Sequence, residues 1–286
     1  MKEPKHLTSI DAIAHRYDAF LCDMWGVIHN GRRIFPASAD ALMRLRGAGK
    51  RVILLTNVPK PRGPIPAQLD RLGFPRLAYD AIVTSGDAIR AELAKRAPGP
   101  MYKIGPESDR SLWAGLGLVF AGLESARFIG ISGLDDYSQQ PADYAPVLRA
   151  ARALDLDMLC ANPDIVVRVG EQLIWCAGAI ARDYSALGGR VIMAGKPHTP
   201  IYELAYAELA GATQAVPIGK SRILAIGDGV GTDIAGANAQ GIDCLFIASG
   251  MHGEALRSDG VLDPAKIDAA LAAEGARATF VMAELA

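Results

Sequence analysis

Four short segments of the chain carry polar residues whose types suit phosphoryl transfer, and each segment lies at the end of an apolar, β-rich run. The chemically useful residues are Asp23 after AFLC (19–22), Thr56 and Asn57 at the end of RVILLT (51–56), Lys196 after RVIMA (190–194), and Asp228 and Asp233 in the loop GDGVGTD after RILAI (222–226). Taken singly, each has an ordinary structural explanation as a turn, a cap or an exposed loop residue. Their recurrence at strand ends indicates a shared site.

The chemistry that these residue types support together is transfer of a phosphoryl group. A carboxylate can attack phosphorus and form an aspartyl phosphate. A second carboxylate can hold Mg²⁺, which prefers oxygen ligands and binds through one or two carboxylates together with the phosphate. A lysine neutralises the phosphoryl oxygens, while a hydroxyl and an amide donate hydrogen bonds to them. Phosphoryl transfer depends mostly on such positioning and charge neutralisation.

The elements that must position these residues follow an α/β pattern. Continuous apolar runs alternate with helical segments, which is typical of a doubly wound parallel sheet covered on both faces. In such a sheet, ligands bind beyond the carboxyl ends of the strands. We therefore predict an α/β fold in which a Rossmann-like core positions the polar segments.

The middle of the chain predicts a second α/β unit inserted into the first. The segments ARFIGIS, DMLCA, IVVRV and QLIWC are strand candidates, and the last two suit a hairpin that turns at Val169-Gly170-Glu171. We predict a core formed by residues 1–85 and 187–286 and an inserted cap formed by residues 86–186. Gly86 and Gly188-Gly189 are candidate hinges between the two units.

Composition excludes several classes of protein. Half of the 286 residues are hydrophobic and the formal net charge is -1, so no basic surplus points to nucleic acid. The apolar runs are too short to span a membrane, and the N-terminal residues lack the pattern of a secretory signal. The widely spaced Cys22, Cys160, Cys176 and Cys244 indicate buried free thiols. We expect a cytoplasmic protein that binds neither nucleic acid nor membrane.

The polar segments CDMWG, LLTN, GKP and GDGVGTD resemble the four motifs of the haloacid dehalogenase (HAD) superfamily. Two cap segments, ANPD (161–164) and LIWCAGAIA (173–181), resemble class IIA, the NagD-like sugar phosphatase and nucleotidase subgroup. The resemblance implies that Asp23 is the nucleophile and a Mg²⁺ ligand, and that Asp228, Asp233 and the backbone carbonyl of Trp25 complete the metal site. It also implies phosphoryl contacts from Thr56, Asn57 and Lys196, and allows a homodimer formed through the cap.

Trp25 departs from the family pattern, because phosphatases of this family normally carry a second aspartate at that position. That aspartate protonates the leaving oxygen and then activates water, and an indole, which only donates a hydrogen bond, can do neither. Loss of a general acid/base costs roughly 10² to 10⁴ in rate. Either the substrate has a good leaving group, such as an acyl, phenolic or anhydride phosphate, or another side chain replaces the acid, or the protein binds its ligand with little turnover. His29, His198 and cap residues are the candidate replacements.

Substrate contacts are expected from both units. Asn162, Asp164 and Arg168 surround a strand end in the cap, where Arg168 either pairs with an anionic substrate or is a solvated hairpin residue. Trp25 and His29 follow the nucleophile, and His29 is expected in a solvated flap or at the substrate. The sequence thus predicts a Mg²⁺-dependent hydrolase of a small phosphorylated metabolite, such as a sugar phosphate or nucleotide. The alternatives are a capped phosphate-binding or regulatory protein and, less favoured, carbon–halogen cleavage by the same nucleophile.

Overall fold

Strands and helices alternate along most of the chain. The computed structural model describes residues 4–170, 172–212 and 218–286. The strands of these residues are β1 Lys5–His6, β2 Ala19–Cys22, β3 Arg51–Thr56, β4 Ala81–Thr84, β5 Met101–Ile104, β6 Phe128–Ile131, β7 Asp157–Cys160, β8 Val166–Val169, β9 Gln172–Trp175, β10 Val191–Met193, β11 Ile223–Gly227, β12 Asp243–Ile247, β13 Arg257–Ser258, β14 Val261–Leu262 and β15 Phe280–Met282. The helices are α1 Asp11–Ala14, α2 Pro36–Gly47, α3 Ile65–Leu72, α4 Ser85–Ala94, α5 Ala145–Ala153, α6 Ala177–Ala186, α7 Thr199–Ala212, α8 Ala235–Gln240 and α9 Pro264–Ala273.

The larger sheet has seven strands in the order β1-β15-β12-β11-β2-β3-β4, and all of its strand pairs are parallel. Successive residues of β2 point to opposite faces, as strand geometry requires. Phe20 packs with the α2 residues Leu42 and Leu45 on one face, whereas Leu21 packs with the α7 residue Tyr202 on the other. The predicted α/β fold with a doubly wound parallel sheet is therefore confirmed.

The strand order of this sheet reverses between β2 and β11. From β2 the chain proceeds outward through β3 and β4, and it later returns to the other side through β11, β12 and β15. A crevice forms at the carboxyl ends of two strands whose connections run in opposite directions, and ligands of open parallel sheets bind there. Residues 23 and 228 follow directly on β2 and β11.

The second sheet comprises four parallel strands in the order β10-β7-β6-β5, with helices α5 and α6 packed on it. Leu148 of α5 and Ile180 of α6 belong to the apolar cluster that also contains Ile129 of β6. Strands β8 and β9 form the predicted antiparallel hairpin, with Val169 paired to Gln172. Glu171, at the predicted turn, lies outside the described residues.

The segment at 190–194 corrects one prediction. We expected it to be a strand of the core, but Val191–Met193 (β10) pairs with β7 in the second sheet. A three-residue apolar strand carries no pattern that identifies its partner, and both sheets are parallel, so either sheet could accept it. The boundaries at 85/86 and 186/187 stay a prediction, and this pairing would extend the cap to Met193.

The cysteines and the helices bear on two expectations from composition. All four cysteines are buried and free, as predicted for thiols in apolar stretches. Among the described residues, no helix combines the length and apolar character that crossing a bilayer requires.

Candidate active site

A cluster of three buried carboxylates lies where the strand order of the larger sheet reverses. Asp23 directly follows β2, and its backbone N–H donates to the carbonyl oxygen of Ile226 in β11 (2.8 Å). Asp228 follows β11, and Asp233 lies in the single π-helical turn Val230–Ile234 that precedes α8. One carboxylate oxygen from each aspartate lies within 4.8 Å of those of the other two. Three convergent carboxylates form a donor set that suits a hard divalent cation.

Glycines enclose this cluster and let the backbone approach it. Gly26 has a φ of +76°, a conformation that L side chains rarely adopt, and a Cβ there would overlap the carboxylate of Asp228. A Cβ at Gly250 would overlap the same carboxylate, and its neighbour Met251 donates a backbone N–H to Asp228 Oδ2. The backbone thus fixes the orientation of Asp228 from two sides.

Lys196 supplies the positive charge of the site. Its Nζ donates to Asp23 Oδ1 (2.5 Å), to Asp233 Oδ1 (2.7 Å) and to the carbonyl oxygen of Leu55 (2.9 Å), and the side chain is only 3% exposed. A buried ammonium is tolerable only when it is paired and hydrogen-bonded in this way. Lys196 is therefore placed to neutralise a phosphoryl group bound beside Asp23.

Asn57 positions the lysine and links the two sheets across the site. Its Oδ1 accepts from the backbone N–H of Lys196 (2.8 Å), and its Nδ2 donates to the carbonyl oxygen of Lys196 (3.1 Å). The same Nδ2 donates to Asp164 Oδ1 in the cap (2.8 Å). Because both amide hydrogens are engaged, a phosphoryl contact by Asn57 would have to come from its backbone N–H. Thr56 is buried and lines the same cavity.

The crowding of charges shifts the ionisation of the cluster. Burial raises the pKa of Asp23 to about 7, against the opposing effect of the Lys196 charge. Burial and the neighbouring Asp23 and Asp233 raise the pKa of Asp228 well above its ordinary range. Burial alone would lower the pKa of Lys196, but Asp23 and Asp233 outweigh it and hold that pKa above its usual value. Three carboxylates share one lysine, and a bound cation would supply the positive charge that they lack.

These shifts predict a pH dependence of stability for the metal-free protein. The folded chain holds protons on Asp23 and Asp228 at pH values where the unfolded chain, with carboxyl pKa values near about 4, has lost them. Their contribution to the free energy of unfolding therefore falls as pH rises between about 4 and 7. The buried His29 acts in the opposite direction, since its pKa is lowered to about 4.

The measurement is a comparison with the Asp23→Asn variant in a chelator. When the pH is lowered from about 7.5 to about 5.5, we expect the thermal midpoint of the wild type to rise relative to that of the variant. Excess Mg²⁺ should remove the gain, because the cation binds the ionised carboxylates. Parallel pH profiles of the two proteins would contradict the assignment.

A cavity of about 430 Å³ opens above the carboxylates and is lined by both sheets. Core residues on its wall include Trp25 and Thr56, and cap residues include Asn162, Asp164 and Arg168. Apolar side chains dominate the remaining wall: Val58, Pro59, Pro106, Leu134, Val166, Val167, Val169, Ile174 and Met251. Arg168 Nε is buried without a hydrogen-bond partner among the described residues, so a negatively charged ligand group would satisfy it.

His29 corrects a prediction. It is neither solvated nor on the wall of the cavity: its side chain is 3% exposed, and its Nδ1 accepts from the backbone N–H of Gly31 (3.1 Å). Its ring meets Trp25 edge to face, with 4.8 Å between centroids. His29 therefore packs against the indole and does not line the cavity. His198 is also absent from the cavity wall.

Sequence reasoning missed an ion pair between core and cap. Lys60, in the loop after β3, pairs with Asp109 of the cap at 3.3 Å, and both line the cavity. Tyr137 and Trp175 also line the cavity, whereas Tyr144 is buried in the cap. The position of Lys60 three residues beyond Asn57 is the only sequence signal that could have identified it.

Models of hydrolase families match two segments of the chain. A family model described as haloacid dehalogenase-like hydrolase matches residues 20–119, and a second HAD-hydrolase-like model matches residues 193–281. The crystal structure of a haloacid dehalogenase-like hydrolase from Brucella suis is 41% identical, with a TM-score of 0.88, and the match covers 98% of this chain and 100% of that one. The chain therefore belongs to the haloacid dehalogenase-like hydrolase family.

Curated relatives of the chain are named as phosphatases, in line with the class IIA resemblance. D-glycerol 3-phosphate phosphatase of Mycobacterium tuberculosis is 27% identical over 84% of this chain, which spans 65% of that relative's length. The structure of a glycerol phosphate phosphatase from the same organism, solved with calcium, is 27% identical, with a TM-score of 0.62 over 86% of this chain and 71% of the other. The calcium of that structure agrees with the use of a divalent metal in this family.

Proposed function

We propose that the protein is a Mg²⁺-dependent phosphatase that hydrolyses a small phosphorylated metabolite through an aspartyl-phosphate intermediate on Asp23. The observation that carries the proposal is the buried cluster of Asp23, Asp228 and Asp233, bridged by Lys196 at the base of a ligand-sized cavity. The relatives' phosphatase names support turnover over the alternative of a phosphate-binding or regulatory protein.

Each residue has a role that its position supports. Asp23 attacks phosphorus and carries the phosphoryl group until water releases it. Lys196 stabilises charge on the phosphoryl oxygens, and the Thr56 hydroxyl and the backbone N–H of Asn57 donate hydrogen bonds to them. Asp228, Asp233, Asp23 and the carbonyl oxygen of Trp25 would hold the cation. Bound Mg²⁺ would neutralise phosphoryl charge and orient the group for in-line attack.

The cavity supports a substrate with an apolar body. Most of its upper wall is aliphatic or aromatic, and Trp25 stands where the family has a proton donor. A phosphate whose leaving group is stable as an anion, such as an aryl, acyl or anhydride phosphate, needs the least protonation. Arg168 would suit a second negative charge on that body, such as a carboxylate or a second phosphate.

The test is a turnover assay over substrates of graded leaving-group pKa. We expect p-nitrophenyl phosphate and an acyl phosphate to be hydrolysed faster than a sugar phosphate, because their leaving groups are more stable as anions. Activity should disappear in chelator and return with Mg²⁺. Thermal unfolding provides an independent measure, because Mg²⁺ at 100 times its Kd stabilises the fold by about 2.7 kcal/mol. Hydrolysis that is indifferent to chelation would refute the proposal.

A further inference from the structure

Hydrolysis through an aspartyl phosphate needs two proton transfers, and Trp25 can make neither. The leaving oxygen must gain a proton in the first half of the reaction, and the attacking water must lose one in the second. Among the described residues on the cavity wall there is no histidine, and the carboxyl groups are those of Asp23, Asp109, Asp164, Asp228 and Asp233.

Four of these carboxyl groups are already committed. Asp23, Asp228 and Asp233 form the cluster that would hold the cation, and Asp109 is paired with Lys60. Asp164 differs, because only its Oδ1 accepts a hydrogen bond, from Asn57 Nδ2, while its Oδ2 bonds to none of the described residues. The side chain is also partly exposed to the cavity.

We propose that Asp164, contributed by the cap, is the proton-transfer residue that replaces the aspartate missing at position 25. The inference rests on the proposed phosphatase function and adds a catalytic residue to it. Its position is set by contacts on both sides: Asn57 ties Oδ1 to the loop of Lys196, and Asn162 Oδ1 accepts the backbone N–H of Asp164 (3.1 Å). Its charge is close enough to Asp23 to raise the pKa of that carboxyl.

The proton balance closes over the two half-reactions. In the first, Asp23 forms a bond to phosphorus, the bond from phosphorus to the leaving oxygen breaks, and that oxygen takes the proton of Asp164. In the second, water attacks phosphorus, Asp164 accepts a proton from the water, and the bond between Asp23 and phosphorus breaks to release inorganic phosphate. Both residues return to their starting states.

The environment of Asp164 suits this alternation. Loss of hydration raises its pKa to about 6, while the Lys196 charge and the hydrogen bond from Asn57 lower it and Asp233 raises it. A carboxyl that titrates near the working pH is present in both protonation states, which a residue that serves as acid and then as base requires.

The Asp164→Asn variant tests the proposal because the new amide keeps an oxygen acceptor for Asn57 but cannot transfer a proton. With p-nitrophenyl phosphate, whose leaving group needs no acid, we expect kcat/KM to stay within about 3-fold of the wild type. We expect kcat to fall about 10²-fold and a burst of one nitrophenolate per site, because hydrolysis of the aspartyl phosphate loses its base. Asp109→Asn, which removes the Lys60–Asp109 contact between core and cap, should produce no burst.

A second variant separates catalysis from cap positioning. Introducing Trp25→Asp into the Asp164→Asn protein should restore kcat, since the new carboxyl supplies the missing base. A merely structural role would lower kcat and kcat/KM together, without a burst and without rescue, and that result would overturn the proposal. Failure of the phosphatase function itself is distinguishable, because then the wild type would also show no hydrolysis that depends on Asp23.

Discussion

Replacement of Asp23 by Asn is expected to abolish hydrolysis of p-nitrophenyl phosphate, with kcat reduced at least about 10⁴-fold. The amide has nearly the same shape as the carboxylate but is not a useful nucleophile. Steady-state assays in saturating Mg²⁺ measure the loss. Acid quenching of the wild type during turnover should also trap phosphate on the protein, and the variant should carry none.

A control variant and a stability measurement accompany the Asp23→Asn assay. Asp18→Asn is the matched control, because Asp18 lies near the opposite end of β2, pairs with Arg222 on the surface and is far from the cavity. It should retain wild-type activity. At about pH 8, where Asp23 is ionised, the metal-free Asp23→Asn protein should unfold at no lower temperature than the wild type, since one of three crowded carboxylates has lost its charge. An Asp23→Asn protein that still turns over substrate would remove Asp23 as the nucleophile.

Replacement of Lys196 by Met should produce the largest loss of stability among changes at the site. It leaves Asp23 and Asp233 buried without their shared cation, and removing one partner of a buried ion pair costs about 3 to 5 kcal/mol in the free energy of unfolding. Urea denaturation in chelator measures this cost. Mg²⁺ should recover part of it, because the cation supplies the missing positive charge.

The matched control is Lys60→Met, which breaks the ion pair with Asp109. The Lys60 side chain is 22% exposed and pairs with one carboxylate, whereas Lys196 is 3% exposed and pairs with two, so we expect a smaller cost than for Lys196→Met. Adding Asp233→Asn to the Lys196→Met protein should recover stability if charge imbalance is the cause. If the double variant is less stable than Lys196→Met, packing rather than charge accounts for the loss.

The larger sheet and the convergence of its polar residues could be predicted from the sequence because both follow from local patterns. An apolar run followed by an aspartate is visible in the residues themselves, and parallel strands must bring their carboxyl ends to one edge. Asp23 and Asp228 therefore had to lie close together once their strands were assigned to one sheet. The hairpin of β8 and β9 was equally accessible, since its two strands are adjacent in sequence.

Features that depend on pairing between distant segments could not be predicted in this way. The assignment of Val191–Met193 to the second sheet depends on its partner β7, about 30 residues earlier, and the strand is too short to show a pattern. The hydrogen bond between Asn57 and Asp164 joins residues 107 positions apart. His29 resembles a loop residue in sequence, and its burial against Trp25 depends on tertiary packing.

Strand β10 belongs to the second sheet, and Lys196 follows it closely in the chain. Only Ala194 and Gly195 separate the last residue of β10 from Lys196. Ala194 is buried, and a side chain at Gly195 would overlap Ser85 and Asn57, so this tether has little slack. If the cap opens and β10 moves with it, Lys196 must therefore move as well, and its ammonium bridges Asp23 and Asp233. Access to the cavity is thus coupled to the charge balance of the carboxylate cluster.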